Sequence, residues 1–366
     1  MKRSFDFGIH FMNFAALFLL TSLCGCQASD VPSDWKVDCV GRMQLSFPEE
    51  VDVAANTPNM IEREYKIKSI QPSFDFADGQ HAGWSVIQMP NWIFVTHPLS
   101  VTEKGRLRTA AEQDALRIRE WLKTEKRAND FESLSVKPKI GIASRVGGGY
   151  DASIFVGDNL VRTWAESGSS WSEGRKDFER FVDGIASRQT LAVPSLQGLC
   201  IPYAFIKDDG TRHRYIAMTY RLRKHPDVTI LLKDQNAVET DPKARPGIYD
   251  PQDISDAFWS RYDSTYRQSL KSVWSDPYKR IKLADSKGVE SFVKIVREDG
   301  SVDHGYLVVA RGDPHAKQDT PDLMLYVIQH SKNAKARGIE PVTKEAFIEM
   351  AQTIAASVKR RPIAPP

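Results

Sequence analysis

The sequence predicts an α+β protein made of two related domains, each an antiparallel sheet with helices packed on one face. One observation is the order of elements, since both halves are predicted to run from strands through a long helix to further strands and a shorter last helix. Matching elements of the two halves also lie about 145 to 170 residues apart. Finally, tight turns such as the one at Gly157, Asp158 and Asn159 are typical of antiparallel hairpins.

Length and composition limit the classes of protein to which the chain can belong. With 366 residues, of which 41% are hydrophobic and 27% charged, it can bury a core, and two domains are more natural than one. The 50 Lys and Arg residues and 47 Asp and Glu residues are spread along the sequence, which argues against a nucleic-acid partner. The one continuous apolar stretch, at 11–23, is too short for a stable membrane-spanning helix.

The first residues have the pattern of an export signal. A basic start precedes the apolar stretch, which ends in the letters LCGC at 23–26. This ending resembles a bacterial lipoprotein signal, so residues 1–25 are predicted to be removed and Cys26 to become a diacylated N-terminus on a membrane. The alternative is an ordinary secretory signal cut nearby. By resemblance to enterobacterial lipoproteins, Gln27 favours the outer membrane, with the protein facing the periplasm.

Two cysteines remain after export and lipidation. Cys24 leaves with the signal and Cys26 carries the lipid, which leaves Cys39 and Cys200. In an oxidising periplasm these two thiols can form a disulfide. They can equally be two separate buried cysteines that act as small hydrophobic side chains.

The predicted N-terminal domain spans 37–190 and follows a polar tether at 26–36. Its strands are predicted from apolar residues that alternate with polar ones, and its helices from apolar residues three or four positions apart. Thr109 and Glu112 have the spacing of a capping box and predict the start of the first helix. In chain order the predicted elements are strands 39–48 and 61–70, a helix over 109–127, strands 140–145, 150–156 and 160–166, and a helix over 172–188.

A linker at 191–198 leads to the predicted C-terminal domain, 199–361. Asp250 as N-cap and Pro251 at the first helical position predict the start of its long helix, whose buried stripe is predicted to reach Leu270. In chain order the predicted elements are a strand that opens at 199, strands 215–222 and 228–233, a helix from 250, strands 291–297, 306–311 and 321–329, and a helix that starts at Thr343.

The sequence contains no motif for catalysis or for binding a metal or cofactor. It lacks the GxSxG elbow of serine hydrolases and the phosphate-binding patterns GxxxxGK[ST] and GxGxxG. Its eight histidines never stand two or four positions apart, as zinc ligands on one strand or helix would. We therefore predict no catalytic residues, no metal and no cofactor, and a protein that is not an enzyme.

Aromatic residues in the long irregular stretch before the first helix are the predicted partner-binding residues. Trp84, Trp92 and Phe94 are large enough to fill pockets on another protein. Alternatively, these residues pack in the core of this protein. For any single residue of the three, core packing is the better interpretation.

Two segments carry a resemblance to a known family. The letters CVGR at 39–42 open the first predicted strand, and Cys200 lies on a strand that precedes the run RLRKHPDV at 221–228. Together with the lipoprotein signal, these segments resemble the immunity lipoproteins that are paired with lipase effectors of the type VI secretion system. In that family each of two domains opens with such a strand.

The resemblance implies a non-enzymatic inhibitor that captures a phospholipase toxin in the periplasm. The two domains would be set like jaws and would clamp the lipase, and the inhibitor would be a monomer before binding. The alternative function is a non-enzymatic envelope lipoprotein with a structural or assembly role. An adjacent lipase reading frame with a GxSxG motif would favour immunity over this alternative.

Overall fold

Strands contain more of the described residues than helices do, and the described strand pairs are antiparallel. The computed structural model describes residues 31–67, 72–89, 91–165, 171–239, 250–266 and 269–363, without the side chains of 263–266. The elements of the first half are β1 Lys36–Val40, β2 Met43–Phe47, β3 Val51–Val53, α1 Pro58–Lys66, β4 Val86–Gln88, β5 Ile93–Val95, α2 Val101–Thr124, β6 Phe131–Ser133, β7 Ile140–Val146, β8 Gly149–Val156, β9 Asn159–Ala165, α3 Trp171–Gly184 and β10 Ile185–Ser187.

The second half contains the longer strands. Its elements are β11 Gly198–Ile201, β12 Ala204–Lys207, β13 Tyr215–Leu222, β14 Val228–Gln235, α4 Pro251–Tyr266, β15 Ser269–Ser272, β16 Lys279–Leu283, β17 Ser286–Val296, β18 Val302–Ala310, β19 Asp322–Gln329, α5 Ser331–Lys335, α6 Lys344–Ser357 and β20 Lys359–Arg360.

Two large antiparallel sheets organise these elements. The first has nine strands in the order β15-β17-β18-β19-β14-β13-β3, with β16 also beside β17 and β4 beside β13. The second has five strands in the order β5-β9-β8-β7-β6. Helix α4 covers one face of the nine-stranded sheet, and α3 contacts β8 of the five-stranded one. The predicted α+β class is therefore confirmed.

The sheets cross the predicted division between the halves. Strands β3 and β4 come from the first half and pair with β13. Strands β10 and β11, which lie on either side of the predicted linker, both pair with β12. Strand β20, near the end of the chain, pairs with β2. The division into two domains at 191–198 stays a prediction, and the strands on its two sides form common sheets.

The predicted strand at 61–70 is wrong, because a helix occupies its described part. Helix α1 starts after Thr57, whose side chain accepts a hydrogen bond from the backbone N–H of Met60. Its buried residues are Ile61, Glu64 and Tyr65. These positions are three and four apart and lie on one face of a helix, whereas the alternation used for the prediction comes from the charged residues between them. Residues 68–70 of the predicted strand lie outside the described residues.

Helix α2 begins earlier than predicted. The capping box is formed by Ser100 and Glu103, and their side chain-to-backbone hydrogen bonds run in both directions. Thr109 is an exposed residue in the middle of this helix. Thr109 and Glu112 have the same spacing as Ser100 and Glu103, and Gly105 between the two pairs weakens the helical pattern of the first turns. The sequence pattern alone therefore does not show which of the two pairs caps the start of α2.

The predicted strand at 39–48 contains a turn and belongs to two strands, β1 and β2, and the remaining predictions differ from the structure mainly at element ends. The hairpin strands around 140–166 are confirmed within their described residues, and Thr343 caps α6 through a hydrogen bond from Ala346 N. Asp250 accepts from Gln252 N at the start of α4, as predicted. Leu270 belongs to β15 rather than to α4, although it packs against the same core as Phe258. The strand predicted at 199 is the hairpin of β11 and β12, and the helix predicted over 172–188 ends at Gly184.

The predicted signal, tether start and lipid-bearing Cys26 lie outside the described residues. Among the residues that the structure describes, no helix combines the length and apolar character needed to cross a membrane.

We expect Ser100→Ala to lower the free energy of unfolding by about 1 kcal/mol, because the first turn of α2 loses a side-chain acceptor for its backbone N–H groups. Thr109→Ala is the matched control and should leave stability unchanged or slightly raised, since Ala is the better helix former at an exposed position. Urea denaturation of both variants measures the difference. Equal destabilisation by the two substitutions would contradict the observed start of α2.

Candidate functional site

The CVGR segment forms the tight turn between β1 and β2. Gly41 has a positive φ of 56°, which favours glycine, and a side chain at this position would collide with the carboxylate of Asp234. The backbone N–H of Arg42 donates to Asp234 Oδ2 at 2.7 Å. This turn therefore places the start of the chain directly against β14 of the nine-stranded sheet.

Arg42 and Arg214 lie at the centre of a buried cluster of opposite charges. Arg42 donates to Asp208 at 2.9 Å and to Asp319 at 3.0 Å. Arg214 is fully buried and donates to Asp234 at 2.8 Å and to Asp319 at 2.9 Å. Burial alone would raise the pKa of Asp319, but Arg214 and Arg42 hold it below its usual value. We call these five residues the Arg42–Arg214 cluster.

A disulfide joins Cys39 on β1 to Cys200 on β11, with their Cα atoms 5.7 Å apart. Both residues are fully buried and pack with Phe205. Next to the disulfide, Gly41 and Cys200 exchange two backbone hydrogen bonds of 2.8 Å each. The disulfide and these bonds therefore bind the same two segments together.

The HPDV segment at 225–228 also holds the fold together. The ring of His225 lies 2.9 Å from the carboxylate of Glu49, in the first half of the chain. Asp227 is fully buried and accepts hydrogen bonds from Gln329 Nε2 at 3.1 Å and from the backbone N–H of Val342 at 3.0 Å. The segments that carry the family resemblance thus link distant parts of the chain and lie largely inside it.

Trp84 lines a surface cavity of about 220 Å³. Its ring centroid lies 4.8 Å from that of Phe258 on α4, and the guanidinium of Arg261 lies 5.1 Å from the Trp84 ring. The cavity opens between the loop at 80–84, α4 and the nine-stranded sheet. The other residues that line it include Tyr262, Tyr326, His81 and His330.

The other two predicted partner-binding residues lie in the first half of the chain. Trp92 is half-buried and packs against a small core that contains Ile61 and Leu107. Phe94 belongs to that core and is fully buried, so this residue of the three cannot touch a partner in the described conformation. A partner-binding role for Trp84 and Trp92 stays a prediction.

A larger groove, of about 530 Å³, runs between α1 and α2. Tyr65, Arg106 and Arg117 are among the residues that line it. Behind it lies the fully buried Arg162, which pairs with Glu64 and donates to Asp151 at 2.6 Å. Burial raises the pKa of Tyr65 to about 12, even though the charge of Arg162 opposes the rise.

No local sequence pattern predicts this groove, because the groove depends on α1, where alternating residues predict a strand. The Arg42–Arg214 cluster joins residues that are far apart in the chain and likewise leaves no local pattern. In the part of the chain that the structure describes, no three His, Cys, Asp or Glu residues are grouped so that they could hold a metal ion.

Part of the chain matches a known protein family. Residues 192–245 match the model of the Tle cognate immunity protein 4 C-terminal domain. This range contains Cys200 and the HPDV segment, on which the resemblance was based. The resemblance to type VI secretion lipase immunity proteins is therefore confirmed. Among curated proteins, none matches the chain.

Solved structures share the fold over nearly the whole chain. The immunity protein TplEi of the type VI secretion system from Pseudomonas aeruginosa, crystallised with an "L" peptide, matches with a TM-score of 0.52 and 15% identity, over 90% of this chain and 99% of that one. A chain of the Tle4-Tli4 complex matches with a TM-score of 0.54 and 16% identity, over 90% of this chain and 98% of that one. At such identities the likeness concerns the fold.

We expect Arg214→Met to lower the free energy of unfolding by about 3–5 kcal/mol, because Asp234 and Asp319 lose their buried counter-charge. The matched control is Arg360→Met, which removes a half-exposed guanidinium from the same Asp319 and should cost at most about 1 kcal/mol. Urea denaturation distinguishes the two variants. Similar losses for both would show that the buried pairing at Arg214 is not what stabilises this part of the fold.

Proposed function

We propose that this chain is an immunity protein that binds and inhibits a lipase effector of the type VI secretion system, and that it catalyses no reaction itself. The observation that carries the proposal is the match of residues 192–245 to the C-terminal domain of Tle cognate immunity protein 4. The fold shared over 90% of the chain with TplEi and with a chain of the Tle4-Tli4 complex supports it.

Inhibition of this kind requires a stable surface of complementary shape rather than reactive groups. The described fold can hold such a surface in place, because the Arg42–Arg214 cluster, the disulfide and the shared sheets hold the two halves together. We propose that the effector is clamped between surfaces of the two halves. The cavity beside Trp84 and the surface around Trp92 are the proposed contact regions.

We also propose that the protein is lipidated at Cys26 and faces the periplasm from the outer membrane. The support is the LCGC sequence after a basic start and a short apolar stretch. A disulfide in the fold is consistent with an oxidising compartment. In this position the inhibitor would meet a delivered lipase where the enzyme reaches its lipid substrate.

The test of the proposed function is calorimetric titration of the chain, carrying Cys26→Ser so that it stays soluble, against the lipase encoded by the adjacent reading frame. We expect stoichiometric binding and parallel loss of lipid hydrolysis. Trp84→Ala should weaken binding by about 10-fold or more if this residue is a contact. Trp121→Ala on α2, which removes a half-exposed Trp, is the matched control and should bind normally. Absence of binding to a demonstrably active lipase would favour the envelope-scaffold role instead.

We expect Cys26→Ser to release the protein from membranes into the soluble periplasmic fraction, because the acyl chains supply most of the membrane affinity. Fractionation of cells that express the wild-type or the variant chain, with immunoblotting, measures the distribution. Retention of the full amount of variant in the membrane fraction would contradict lipidation at this residue.

A further inference from the structure

One edge of the nine-stranded sheet carries a group of exposed positive charges. The edge is formed by β15 and β16, which both pair with β17. Residues 269–296 contain six Lys and Arg residues and only three Asp and Glu residues. All six cations are exposed, as are Asp276 and Asp285, whereas Glu290 is buried and accepts a hydrogen bond from Tyr306. The six cations, which we call the basic edge, are Lys271, Lys279, Arg280, Lys282, Lys287 and Lys294.

Strand pairing sets four of these cations in two directly opposed Lys–Lys pairs, one on each face of the sheet. Lys282 on β16 lies opposite Lys287 on β17, and Lys271 on β15 lies opposite Lys294 on β17. Residues paired in this way have their Cβ atoms about 5 Å apart on the same face of the sheet, and like charges there destabilise the pairing. Within the described residues, none of the six cations forms an ion pair. The fold therefore contains repulsion along this edge that it does not compensate internally.

Aromatic side chains lie among these cations. The ammonium group of Lys279 lies 3.8 Å from the centre of the Trp274 ring. Trp274 and Tyr278 are both half-buried and connect β15 to β16, and the Tyr278 hydroxyl donates to Asp256 of α4. Trp and Tyr next to Lys are the side chains that occupy the headgroup region of a membrane, since each has an apolar body and a polar end.

We infer that the basic edge binds the anionic surface of a phospholipid membrane. An acidic protein surface is the competing partner, but composition disfavours it, because protein interfaces are poor in Lys and rich in Arg, and five of the six cations are Lys. Attraction to anionic headgroups needs no fixed geometry and accumulates with each Lys or Arg near the surface. Lysines on an edge strand also hinder pairing with other sheets. Hindering such pairing does not require cations on β17, because β17 is already paired with other strands on both of its sides.

The inference goes beyond the proposed inhibition and can be tested without an effector. The mature chain with Cys26→Ser, which has neither the signal nor an acyl group, is sedimented with vesicles of phosphatidylethanolamine and phosphatidylglycerol, and with vesicles of phosphatidylcholine alone. We expect binding to the anionic vesicles only, and release at high salt, because screening shortens the range of exposed charges.

Two triple variants then locate the binding surface. Arg280→Gln/Lys282→Gln/Lys287→Gln should weaken partitioning onto the anionic vesicles on the order of 100-fold, as expected for three cations near such a surface. The matched control is Lys66→Gln/Arg119→Gln/Lys176→Gln, which removes three exposed cations from α1, α2 and α3 and should bind as the wild type does. The first variant should remain folded, because it relieves the repulsion between Lys282 and Lys287.

Several results would overturn the inference. Absence of binding to anionic vesicles, or equal loss in both triple variants, would show that the basic edge does not recognise a membrane. Unchanged vesicle binding of the first variant, together with weaker inhibition of the lipase, would assign the edge to a protein partner. Because vesicle binding and lipase inhibition are measured separately, either proposal can fail while the other holds.

Discussion

The pairing of buried charges around Arg42 and Arg214 is the constraint on which the rest of the structure depends. A charge removed from water is tolerated only when opposite charges and hydrogen bonds surround it. Here the partners come from the first strand pair, from β14 and from the loop before β19, and Arg360 near the chain end reaches the same Asp319. Displacing the first strand pair, β14 or the loop before β19 would take a partner from a buried charge, whereas the half-exposed Arg360 only adds to the pairing of Asp319. These three segments are therefore held in one arrangement.

The sequence predicted the parts of this structure that depend on neighbouring residues. The hairpin strands, the cap of α6 at Thr343 and the α+β class follow from local periodicity and turn residues. Long-range pairing leaves no such pattern. Arg42 meets partners 166 and 277 positions away, and in the sequence it is simply a polar residue at the start of an alternating strand. The strand itself, β2, is buried on both faces. The backbone N–H of Ser46 on this strand donates a hydrogen bond to Ser357 Oγ of α6.

The same distinction explains which site residues could be predicted. Trp84, Trp92 and Phe94 were selected by size, but size does not show exposure, and Phe94 is fully buried. The segments CVGR and HPDV were informative because their contacts require particular residues, such as a glycine at position 41. Fold-determining positions of this kind can persist while surfaces change. This agrees with a fold shared with TplEi at only 15% identity.

The position of the disulfide determines how the protein would respond to mechanical force. A pull on the N-terminal segment enters the fold at Lys36, at the start of β1. Without a crosslink, the backbone hydrogen bonds between β1 and β2 could break one after another, starting at Lys36. Three residues after Lys36, however, the bond from Cys39 to Cys200 passes the tension to the hairpin of β11 and β12. A protein held by its N-terminus while its partner is pulled away would therefore resist peeling at β1 through a covalent bond.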